Sequence, residues 1–145
     1  MSAAPSIEAK ITELVAQHGT VPPPYFTFPD KHPFDIFWRM GAGEDHIMVF
    51  GAWWERQKDG MDEAQRIEYF RKFPPPPVWL TWMIELIWVP EDEEFELDPN
   101  EADRSSYFKR TEELGFGTED ECKHAWDLFN EEMEAEIKAR EEKKK

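Results

Sequence analysis

The sequence predicts a mostly α-helical fold, a compact single-domain bundle of about six helices with an aromatic-rich core and polyproline connectors. Apolar residues recur at spacings of three and four along most of the chain, the period of a helix with one buried face. Residues with helix-start and helix-stop chemistry punctuate those stretches. Six of the seven tryptophans (Trp38, Trp53, Trp54, Trp79, Trp82 and Trp88) lie between residues 25 and 90. Each such ring buries a large apolar area, so this stretch has the material for a core.

The chain has 145 residues, the size of one domain. The expected domain spans 1–137, with an aromatic-rich body over 1–90 and an acidic helical part over 91–137. Residues 138–145 are expected to form a charged, fraying tail.

Taken in order, Ser6 is the expected N-cap of a first helix carrying Ile7, Ile11, Leu14 and Val15 and stopping at Gly19. Pro22, Pro23 and Pro24 predict an extended segment. Tyr25 to Phe28 alternates in a way that suits a short strand or strap. Residues 34–58 fit two patterns. Phe34, Phe37 and Trp38 suit a short helix closed at Gly41, followed by a second helix from near Glu44. The alternative is a hairpin, giving a short strand pair within residues 25–54 around Gly41-Ala42-Gly43. The polar, helix-favouring tail Glu55-Arg56-Gln57-Lys58 favours the helical pattern.

Asp62 caps the next helix, which presents Ile67, Phe70 and Phe73 and ends at Pro74. Pro77 suits the first position of a very apolar helix reaching Trp88. Asp98 and Pro99 restart a helix through Tyr107, Phe108 and Leu114, closing at Gly115. Thr118 and Glu121 have the spacing of a capping box for the last helix. Its stripe is Cys122, Trp126, Phe129, Met133 and Ile137, narrow enough either to pack on the body or to pair with another helix.

Charge narrows the functional classes. The net charge is −15, and residues 91–145 carry 20 acids against 9 bases. Such a field repels nucleic-acid backbones and anionic lipid and favours basic partners. Cys122 is the only cysteine, so neither an internal disulfide nor a thiolate cluster can form. The longest apolar run, Val78 to Val89, is shorter than the roughly 20 residues a membrane span needs. Met1 to Pro5 lacks the basic start of a secretory leader, so a cytoplasmic location is expected.

No catalytic constellation stands out. The four serines lack a glycine-flanked nucleophile elbow, and Gly41-Ala42-Gly43 is followed by acids that repel phosphate. Asp120 and His124 share a helix face, a spacing better suited to an ion pair than to a metal site. Pro74 to Pro77 has PxxP spacing but reads more simply as a rigid connector. No cofactor is expected.

Two sets of residues remain as binding candidates. The first is the acidic run Glu91, Asp92, Glu93, Glu94 and Glu96, either a solvated linker or a docking surface for a basic protein. The second is an aromatic pocket involving Arg39, Trp53, Trp54, Trp82 and Glu85. Within it, Arg39 and Glu85 are charges in apolar surroundings that need counter-charges if buried. Their plainer alternatives are a ring-stacked surface arginine and a narrow solvent-facing stripe through Thr81 and Glu85. The expected function is a non-catalytic acidic protein-binding module, of the inhibitor or immunity-protein type that neutralises a basic partner. The alternatives are a nucleic-acid mimic that blocks a DNA- or RNA-binding enzyme, and a small-ligand binder or enzyme with a tryptophan-lined pocket.

Overall fold

A computed structural model describes residues 4–89 and 96–143. Among these residues there are seven α-helices, three 3-10 turns and no strand. The chain divides into two compact units, Met1–Pro74 and Pro75–Lys145. The division falls inside the proline run Pro74 to Pro77, so each unit carries part of the aromatic-rich stretch.

The first unit begins with α1 (Ala4–His18). The helix therefore starts before Ser6, which lies inside it and is not its N-cap. Pro5 is compatible with this because a first-turn residue has no intrahelical use for an N–H. Gly19, at φ +81°, closes α1 in the left-handed conformation that favours glycine. The Lys72 ammonium donates to the last carbonyl, that of His18, at 2.6 Å.

Pro22, Pro23 and Pro24 are fully buried. Prolines bring no N–H needing a partner, so only carbonyls must be satisfied in this segment. Side chains supply the donors. The Tyr69 hydroxyl donates to the Val21 carbonyl at 2.7 Å, and His46 Nε2 lies 3.0 Å from that of Pro22. Pro24 then starts a one-turn helix, α2 (Pro24–Thr27), in place of the predicted strand or strap. The preset φ of proline suits a first helical position, and the Tyr25 hydroxyl anchors the turn to the Phe73 carbonyl.

Residues 34–58 are helical throughout their main part, which removes the hairpin alternative. A 3-10 turn, Ile36–Arg39, is capped by the Asp35 carboxylate, which accepts from the Phe37 N–H at 2.8 Å. Helix α3 (Gly41–Gln57) starts three residues earlier than predicted. Gly43 explains the early start. A Cβ there would overlap the Phe37 carbonyl and ring, so the glycine lets the helix pass directly over the preceding turn. Val49, Phe50, Trp53 and Trp54 face the core from α3. They meet Tyr69 and Phe70 of α4 (Glu63–Lys72), whose Asp62–Gln65 capping box is complete. Trp54 stacks on Phe50 with centroids 5.8 Å apart, and Tyr69 meets Phe70 edge-on at 5.0 Å.

The second unit opens with a 3-10 turn, Pro77–Trp79, with Pro77 in first position as predicted, leading into α5 (Leu80–Trp88). Val89, at φ +43°, ends α5 in the left-handed region, an uncommon conformation for a β-branched residue. Asp98 does not start a helix. Its carboxylate accepts from the Asn100 N–H at 2.9 Å and closes a turn. Helix α6 (Ser105–Glu113) begins only after Arg104. The last helix, α7 (Glu119–Lys143), runs past Ile137 to Lys143 and includes most of the segment expected to fray. An i,i+4 pair, Glu136–Arg140 at 3.7 Å, spans that extension.

Candidate functional site

Helix α7 is the feature with the strongest external character, and its start shows how it is held. The Thr118 hydroxyl accepts from the Glu121 N–H at 3.2 Å, while Glu121 Oε1 accepts from the Thr118 N–H at 3.0 Å. This is the predicted capping box, and it satisfies two of the donors a helix start leaves open. Cys122 and Trp126 are fully buried, and the indole N–H of Trp126 donates to the Val78 carbonyl at 3.0 Å. Asp127 approaches Asn100 Nδ2 at 3.4 Å.

Past this anchor the stripe runs into solvent. Phe129 is half-buried, whereas Met133 and Ile137 are 41% and 50% exposed. Every residue from Glu131 to Lys143 is exposed. Residues 119–137 carry eight acids and one base, Lys123. At about 100° per residue, Asp120, Asp127, Glu131 and Glu134 fall on one face of α7, turned well away from the Trp126–Met133–Ile137 stripe.

The other charged centre of this unit is buried. Arg104 Nη2 lies 2.9 Å from Glu85 Oε1, and its Nε lies 3.2 Å from the same oxygen. Both side chains are almost wholly enclosed. Thr81, one turn earlier on α5, is also buried and donates to the Leu97 carbonyl at 2.6 Å. Thr81 and Glu85 are therefore not a solvent-facing stripe. They tie α5 to the chain leading into α6. Arg104 was not among the residues singled out from sequence. The one signal available was that Glu85, amid apolar residues, required a cation, and residues 91–137 hold only four bases.

Of the acidic run, Glu91, Asp92, Glu93 and Glu94 lie outside the described residues. Glu96 is half-buried, and its carboxylate accepts from the Asp98 N–H at 3.0 Å, part of a local turn. Of the pocket candidates, Arg39 is exposed in the first unit, where Trp53 and Trp54 sit side by side with both rings buried. Trp82 and Glu85 belong to α5 in the second unit and are also buried. Trp82 packs edge-on against Trp79 at 5.5 Å.

Two grooves are formed by described residues of the first unit. One, of about 560 Å³, is lined by Ile11, Val15, Trp53, Met61 and Tyr69 among others. The second, of about 770 Å³, is lined by Ile7, Phe28, His46, Met48 and Val49, with Lys10, Glu44 and Asp45 among its polar groups. Burial holds His46 below the ordinary histidine range, so it is neutral at pH 7. Its role is to bind the buried proline segment.

Nucleophilic and metal chemistry find little here. Burial pushes the Cys122 thiol up to about 12, far from a reactive thiolate. Among the described residues, no group of three His, Cys, Asp or Glu side chains could hold a metal ion. Asp120 and His124 are both exposed, and among the described residues no ion pair joins them. No helix among the described residues is long and apolar enough to cross a membrane. Comparison with known proteins finds no matching family model, no matching curated protein and no matching solved structure.

Proposed function

We propose that this protein is a non-catalytic protein-binding module that docks a basic partner on the carboxylate face of α7, as an inhibitor or neutraliser of that partner. One observation carries the reading: a continuous helix whose acids project into solvent from Glu131 onward, with no Lys or Arg among residues 124–137. A helix holds such groups at fixed spacing, so the field is directional as well as strong. Charge of one sign on a rigid element steers association and excludes partners of the same sign. Trp54 and Trp82 are buried in ring packing and line neither groove, which favours this reading over a tryptophan-lined ligand pocket.

The test is a four-site variant, Asp120→Asn, Asp127→Asn, Glu131→Gln and Glu134→Gln. It lowers the charge of the face without removing helix-forming residues. The reading predicts slower association with the partner and a weaker salt dependence for the variant. Equal association rates for variant and parent would exclude this face. A partner that proves to be a DNA- or RNA-binding enzyme, displaced by nucleic acid, would favour mimicry of a phosphate backbone.

A further inference from the structure

We infer that the larger groove of the first unit is a binding site for a small amphipathic amine, an aliphatic or arylalkyl ammonium ion. The groove lies wholly within that unit, and the inference stands independently of the basic-partner reading.

His46 supplies the first observation. Its Nε2 lies 3.0 Å from the Pro22 carbonyl, and a carbonyl can only accept, so the neutral ring carries its proton on that nitrogen. Nδ1 is thereby left with a lone pair, and among the described residues nothing donates to it. Yet His46 is only 8% exposed, and it forms part of the groove wall. Enclosed acceptors are normally satisfied, so this one calls for a donor from outside the chain. The ring is also held in place. Phe28 meets it edge-on with centroids 6.2 Å apart, and Phe37 braces Phe28 at 4.7 Å.

Charge supplies the second observation. The charged side chains lining the groove are Lys10, Glu44 and Asp45, one base against two acids. The Lys10 ammonium already meets the Glu13 carboxylate at 3.3 Å. Glu44 and Asp45 are exposed at the start of α3, next to His46, and among the described residues neither is in an ion pair. Two unpaired carboxylates beside an unfilled imidazole acceptor suit a ligand that is both cationic and a hydrogen-bond donor.

Shape sets the rest of the ligand. The volume of about 770 Å³ falls within the range of small-molecule sites. Ile7, Phe28, Met48 and Val49 give it apolar walls against which a carbon body can lie. An organic acid of the same size would face two carboxylates and an imidazole lone pair. A hydrocarbon would leave Nδ1 without a donor. The groove therefore discriminates by chemistry as well as by size.

The test is a pair of titrations near neutral pH, followed by NMR on the full chain with labelled methyl groups and labelled histidine. Phenethylamine and hydrocinnamate are the probes, because they share a carbon body and differ in charge. The amine is expected to give saturable shifts at the Ile7, Met48 and Val49 methyls and to move the His46 Nδ1 signal toward that of a hydrogen-bonded nitrogen. Hydrocinnamate is expected to bind about tenfold more weakly or worse. Glu44→Gln with Asp45→Asn should weaken amine binding about tenfold, and Met48→Lys should abolish it. All three positions are exposed, so unchanged circular dichroism is expected for both variants. Absence of saturable shifts with the amine, equal binding of acid and amine, shifts centred outside the groove, an unmoved Nδ1 signal, or parent-like binding by the Glu44–Asp45 variant would each overturn the inference.

Discussion

Arg104 and Glu85 form an ion pair at 2.9 Å inside the second unit, and neither side chain reaches solvent appreciably. Removing ions from water is costly, and the pair holds only because each charge has the other. Truncating one partner strands the other. Glu85→Ala or Arg104→Ala should therefore cost about 3–5 kcal/mol of stability. Joint replacement by apolar residues of similar size, Glu85→Leu with Arg104→Met, should restore most of it. Urea denaturation of the three variants checks both statements.

Two of the three glycines of α3, Gly43 and Gly51, should respond oppositely to alanine. At Gly43 a Cβ collides with the Phe37 carbonyl, so Gly43→Ala must displace the 3-10 turn and destabilise the first unit. Gly51 has open space around its Cα, so Gly51→Ala should stabilise by about 0.5–1 kcal/mol through helix propensity. Thermal melts of the two variants would show the opposite signs.

His46 makes a pH signature. Burial lowers its pKa in the folded state from an ordinary value of 6.5. Below that value the unfolded chain takes up a proton that the folded chain refuses, so falling pH favours unfolding. Its contribution is zero above pH 6.5, grows as pH falls, and levels once the folded-state pKa is passed. His46→Gln should remove this slope. Subtracting the variant's stability–pH curve from that of the parent isolates it from carboxylate titrations at lower pH.

Cys122 should be silent to thiol reagents. With the side chain fully buried and its pKa at about 12, almost no thiolate forms at pH 8 in the folded chain. Labelling by a chromogenic disulfide should follow the unfolding transition, and prompt labelling in native buffer would contradict the burial.

Much of the fold was legible because local chemistry and tertiary packing agree. The Asp62 and Thr118 capping boxes, the Gly19 stop and the Pro77 start are local devices, and each appears where its residues predict. The errors cluster where distant partners decide. Ser6 has cap chemistry, yet the helix extends past it. Tyr25 to Phe28 suggested a short strand or strap, but Pro24 starts a helical turn that the Tyr25 hydroxyl ties to the Phe73 carbonyl, 48 residues away. Asp98-Pro99 resembles a helix start, but Asp98 closes a turn and the chain first positions Arg104 against Glu85.

The binding candidates were legible only as charge. Sequence could place an excess of acid in residues 91–137, but not the register that sets Asp120, Asp127, Glu131 and Glu134 on one helical face. It left open whether the last helix packs or projects. Both occur: Trp126 anchors it to Val78, and the same stripe emerges at Met133.

The central claim is that a basic protein docks on the carboxylate face of α7. Its most direct measurement is a parallel capture from host lysate at low salt on immobilised parent chain and on the Asp120→Asn, Asp127→Asn, Glu131→Gln, Glu134→Gln variant. Both are eluted with rising salt and identified by mass spectrometry. The account predicts a defined basic protein, retained by the parent, released as salt rises and lost from the variant. Retention of the same proteins by both chains, or of none by the parent, would contradict it.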